Sequence, residues 1–203
     1  TMSINPVLAH DEYSGDLFPL PQEDETFLLK RDGISLDARL PSGGGTLTAS
    51  GVFHVTSARI VFVADKGTAN RDDFCSFGVD LNTMHSPKFQ QPIFWANYLE
   101  MMVPCDTFDG DATVYLTFNA GGCQTFLNTF FRLLDSLQKP SSRNKFVADF
   151  QSDPNKTAFV DPSDPSVLYI SQPKAASNKV APSDSEVVYV SQPKTAGSQA
   201  PPS

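Results

Sequence analysis

The chain has 203 residues, 40% hydrophobic and 19% charged, with 16 Phe and 16 Pro, enough large apolar side chain for one ordinary core plus an extension. Its net charge of −8 lies wholly in residues 1–139, where 9 Lys/Arg face 17 Asp/Glu, while residues 140–203 carry 6 of each. An acidic body repels phosphate backbones and anionic headgroups at long range, so nucleic acid is not expected as a partner and membrane binding is expected to be weak or absent.

Residues 1–26 are mixed, and the run FPLPQEDE (Phe18 to Glu25) reads as an irregular lead-in. No basic start or apolar run of a signal peptide opens the chain, and no stretch approaches the roughly 18 consecutive apolar residues of a membrane span. Cys75, Cys105 and Cys123 are odd in number and widely spaced, which argues for free thiols in a reducing compartment. A cytoplasmic or nuclear protein is therefore expected.

From Phe27 to Leu40 two apolar runs flank Asp32-Gly33, a dipeptide that favours a turn, and Ile34, Leu36, Ala38 and Leu40 alternate with polar residues at the period of a half-buried strand. Residues 41–51, with Gly43-Gly44-Gly45, read as connecting chain; no GK[ST] follows, so the glycines do not announce a phosphate cradle. Val52 to Asp65 is rich in β-branched and aromatic residues with a turn near Thr56 to Ala58, a pair of antiparallel strands. Asp73 to Phe89 and Gln91 to Val103 supply two or three more strands, in which Trp95 and Tyr98 are expected to fill core space, a binding surface being the lesser alternative for this segment. Asp111 to Gly122 closes the β part.

The period then changes. Cys123, Phe126, Leu127, Phe130, Phe131, Leu134 and Leu137 form a stripe repeating every 3.6 residues, which predicts an amphipathic helix from about Gln124 to Lys139, stopped by Pro140. One such helix after about seven strands must cover apolar surface, and the open end of a small barrel or sandwich offers it. The fold class is thus mainly β with one C-terminal helix.

Beyond Pro140 the composition turns to Ser, Pro, Ala, Lys, Asn and Gln, so residues 140–203 are expected to be a flexible tail. Two blocks in it align at a period of 20 residues, 162–181 and 182–201, with ten of the 20 positions identical. Each has a short strand-like core in polar chain: Val167, Tyr169, Ile170, Gln172 and Pro173 in the first, and Val187, Tyr189, Val190, Gln192 and Pro193 in the second. Such segments suit short linear docking motifs that add a strand to a partner's sheet, and duplication raises the effective concentration at a bivalent partner or within a large assembly; the alternative is a duplicated spacer with no docking role.

Three ordered groups of residues carry a resemblance to a known family. They are Gly51, Thr56, Arg59 and Phe62; Gln91, Pro92, Phe94, Ala96, Asn97 and Tyr98; and Leu116, Phe118, Ala120, Gly121 and Gly122. The chain resembles the GRAM domain of the WW-domain-binding-protein-2-like family over about residues 2–139. The resemblance implies a pleckstrin-homology-like fold over residues 27–139, a seven-stranded bent sheet capped by one α-helix, and a binding or adaptor role with neither catalysis nor a cofactor. Animal members recruit WW domains through PPxY motifs and have a coactivator role. No PPxY occurs here, so WW domains are not expected partners and that role is not carried over.

Phosphoinositide binding, often proposed for such domains, needs clustered cations. Only Lys30, Arg31 and Arg39 are placed to form a weak lipid patch, with Asp32 and Asp37 among them. Arg59 between two predicted strands suits an internal ion pair or a strand-face contact rather than a ligand contact. His10, His54 and His85 lack ligand spacing with the cysteines, and no nucleophile elbow is present. No catalytic, metal or cofactor residue is therefore assigned; the chain is expected to be an adaptor, with a peripheral membrane module as the alternative.

Overall fold

The computed structural model describes residues 1–11, 15–119, 123–138, 140–152, 160–161, 164–168 and 187–190. The lead-in, expected to be irregular, contains three short strands: β1 (Met2–Ile4), β2 (Leu8–Asp11) and β3 (Leu17–Pro19). Tertiary partners explain the difference, because runs this short show no period of their own. Met2 is buried in the main core. Asn5, at φ 53°, accepts hydrogen bonds from the backbone N–H groups of Cys75 and Ser76 at 2.9 and 3.2 Å. Leu8 packs with Val61 and Val63, while Ala9 and Phe18 close a second small cluster with Phe27.

Seven strands follow: β4 (Phe27–Arg39), β5 (Thr46–Thr56), β6 (Arg59–Ala64), β7 (Ser76–Asp80), β8 (His85–Gln90), β9 (Tyr98–Pro104) and β10 (Asp111–Phe118). Their spatial order is β7-β6-β5-β4-β10-β9-β8, every neighbouring pair antiparallel. β4 is the hinge of the order, pairing with β5 along its length and with β10 only from Ile34 to Arg39. This is the pleckstrin-homology-like arrangement, and β1 extends it by pairing with β7 and bridging Met2 to Cys105.

Asp32-Gly33 is not a turn between strands. β4 runs straight through it, and the pairing with β5 passes from Arg31↔Phe53 to Ile34↔Gly51, which leaves one extra residue on β4. Gly33, at φ 68°, takes the left-handed conformation of such a bulge, so the local propensity for φ > 0 was real but was used to bend a strand. The turn lies at residues 41–45 instead, where the Leu40 N–H donates to the Gly45 carbonyl at 2.8 Å. β5 begins at Thr46, earlier than the connecting chain read from its glycines.

Helix α1 (Gln124–Leu137) caps the open end of the sheet. Phe126, Phe130 and Leu133 are fully buried, and the Phe126 ring lies 5.1 Å from those of Phe53, Phe118 and Phe130. Phe131, counted in the stripe, is at its exposed margin, and Leu133 takes the central place. α1 stops just before Pro140, as its position implied, but a second helix, α2 (Pro140–Ser152), opens there in chain expected to be flexible, because proline at a first helical position lacks only an N–H that has no intrahelical partner there. The Arg132 guanidinium stands 5.7 Å from the Phe146 ring across the two helices.

Within the tail, β11 (Val160–Asp161), β12 (Asp164–Leu168) and β13 (Val187–Val190) are the described strands. β12 pairs antiparallel with β4, and β13 pairs parallel with β2. No helix among the described residues is long and apolar enough to cross a membrane.

Candidate interaction surface

Three features bear on partner binding: a strand edge that the tail covers, a cationic patch expected from the sequence, and an exposed loop. The first is the free side of β4. Because β10 covers only its second half, the stretch Leu29–Arg31 presents backbone groups that the barrel does not pair. β12 occupies that stretch, with Ser166 opposite Arg31, Val167 opposite Lys30 and Leu168 opposite Leu29. On the other tail motif, Val187, Tyr189 and Val190 stand opposite Leu8, His10 and Asp11 of β2. Thus the two copies lie on different edges of this chain's own sheets. Tyr169, Ile170, Gln172, Pro173, Gln192 and Pro193 lie outside the described residues.

The second feature is the expected cationic patch, which the structure does not assemble. Arg31 is 0% exposed, its guanidinium 5.1 Å from the Phe118 ring centroid. Burial pushes its pKa below the usual range, and the nearby Cys123 sulfur opposes that shift. Its side chain follows the inward alternation that ends at the bulge, so Arg31 is corrected from a surface residue to a core one. Lys30 sits 3.6 Å from Asp16 and 3.9 Å from Asp32. Arg39 lies beyond the bulge at the other end of β4, 3.3 Å from Asp37 and stacked 4.8 Å from the Tyr115 ring centroid.

Of the two roles open to Arg59, it makes the internal ion pair. Its guanidinium meets the Glu25 carboxylate at 2.8 and 3.0 Å and donates to the Leu20 carbonyl at 2.7 Å. It also lines a polar depression of about 220 Å³ with Ser3, Gln22, Asp80 and Asn82, but its charge is already matched. The three histidines are dispersed: His10 in β2, His54 buried in β5, and His85 at the start of β8 with Nε2 3.1 Å from Asp111.

The third feature lies in the segment for which the sequence favoured core packing over a binding surface. Residues 91–97 connect β8 and β9, the hairpin at one end of the strand order. At the tip, Ile93, Phe94 and Trp95 are 90%, 89% and 81% exposed. Trp95 is therefore not core, and this corrects the expectation drawn from its size; Tyr98, at the loop's foot, is half-buried with its ring 5.9 Å from that of Tyr115. The foot is anchored: the Phe118 N–H donates to the Asn97 carbonyl at 2.8 Å, and the Asn97 amide reaches the Cys123 sulfur at 3.5 Å. An available signal was that Phe89 to Tyr98, FQQPIFWANY, contains no charge and is interrupted by Pro92, so it could not continue as an alternating strand.

A β-rich module with tail strands on its edges and an exposed apolar loop is the class that the geometry defines. No family model matches the chain. It is 29% identical over 144 residues to a UPF0664 stress-induced protein of Schizosaccharomyces pombe, across 70% of this chain and 81% of that protein. Among solved structures it is similar to a chain of the 8S snRNP assembly intermediate, at a TM-score of 0.37 and 8% identity over 73% of this chain and 92% of that one.

Proposed function

We propose that this protein is a non-enzymatic adaptor, a GRAM-like domain serving as a protein-interaction platform in the cytoplasm, with the two tail repeats as docking motifs that add a strand to a partner's sheet. The observation that carries this reading is the pairing of β12 with β4 and of β13 with β2. A segment able to lie along an open edge of its own domain has the extended backbone and alternating side chains needed to lie along a partner's edge. Two copies in one tail then favour a bivalent partner through effective concentration.

Proline at the centre of each core tests it, because proline cannot donate to a ladder. Affinity purification of the full chain is compared with that of the Val167→Pro, Val188→Pro double variant. Partner recovery is expected to fall about tenfold or more in the double variant and less in either single one, as avidity predicts. Equal recovery of the same proteins by the double variant would refute the tail-docking role.

A further inference from the structure

The loop at residues 91–97 has no part in strand docking. Three consecutive large apolar side chains project from it, on a foot held to β10 and to the residue preceding α1 by Asn97. A run this exposed is convex, so whatever covers it must receive a wedge. Aromatic side chains bury roughly 150–250 Å² each, so the tip offers about 500 Å², short of the roughly 800 Å² per partner in a standard protein interface. A bilayer needs no wider footprint, since it closes around the inserted side chains alone.

Charge narrows the surface further. The ten residues Phe89 to Tyr98 are uncharged, while the chain carries −8. Arg31 is in the core, and Lys30 and Arg39 each stand beside carboxylates. An anionic headgroup would therefore meet repulsion from the body and, among the described residues, no cationic cluster at the loop. Phe and Trp beside an aliphatic residue match the boundary between headgroups and acyl chains, where amphipathic rings settle.

We propose that Ile93, Phe94 and Trp95 insert into the interface of an uncharged, zwitterionic lipid surface, seating the domain on a membrane without headgroup recognition. Trp95 is the sole tryptophan of the chain, so its emission reports on this loop alone. Full-length protein is titrated with vesicles of pure phosphatidylcholine, and in parallel with vesicles containing phosphatidylserine. The expected result is a blue shift of the emission with phosphatidylcholine, quenching by brominated acyl chains, and no stronger partitioning when phosphatidylserine is added. Ile93→Ser together with Phe94→Ser should weaken partitioning about tenfold or more, with thermal unfolding unchanged because neither side chain is packed. Emission unmoved by lipid overturns the proposal. So does binding confined to anionic vesicles, or a concentration-dependent blue shift without lipid, which would assign the loop to a second copy or another protein surface.

Discussion

His54 stands in β5 directly opposite Lys30 of β4, fully enclosed. Burial, with a smaller contribution from the Lys30 charge, pushes its pKa down to about 3. In the unfolded chain the imidazole titrates near 6.5, so between those values the unfolded state binds the extra proton. The stabilisation is complete above pH 6.5 and is lost as pH falls toward 3, at up to about 1.4 kcal/mol per pH unit. Urea unfolding across that window should show this slope, and His54→Leu should flatten it; an unchanged slope in the variant would place the proton uptake elsewhere. Composition could not disclose this, since three scattered histidines look alike until strand pairing encloses one of them.

Among the elements, α1 is the one whose role was plainest beforehand. Its 3.6-residue stripe specified a packing face, and the aromatic cluster of Phe53, Phe118, Phe126 and Phe130 is where that face lands. Phe126→Ala should cost about 3–5 kcal/mol through lost transfer energy and a cavity, against less than about 1 kcal/mol for exposed Phe131→Ala. Similar losses in both variants, measured by chemical denaturation, would mean that the helix packs on a different face. The strands of the barrel were equally legible where apolar and polar residues alternate, as in β10. Legibility failed where one residue has two uses. Asp32-Gly33 favours φ > 0 in a turn or in a bulge, Pro140 can stop a helix or start one, and an apolar run such as Ile93 to Trp95 can be core or protruding loop. Sequence spacing does not separate those outcomes, because the deciding neighbours are far away along the chain.

At the scale of the molecule, the lead-in joins parts that the periodic strands leave apart. Met2 sits between Val79 of β7 and Cys105 just beyond β9, while the Asn5 side chain holds the approach to β7 through Cys75, Ser76 and the Asp73 carbonyl. Removing residues 1–7 should therefore lower stability by about 2–4 kcal/mol, from one buried side chain and several lost hydrogen bonds. Urea midpoints that coincide for the shortened and full chains would show the seam to be dispensable. The candidate surfaces belong to this scale as well. Tail segments suited to strand addition could be named in advance, but the edges that receive them, β4 at Leu29–Arg31 and β2, exist only once β10 stops short and the lead-in folds over β6.

Periodicity and composition were sufficient for a mainly β body, a capping helix and a repeat-bearing tail, because burial imposes its alternation on every residue of an element. Which cation is buried, which edge stays open and which aromatic residues face outward were settled only by tertiary packing. Each depends on a bulge, a strand's end or a loop's foot, and such features arise from contacts between segments remote in sequence.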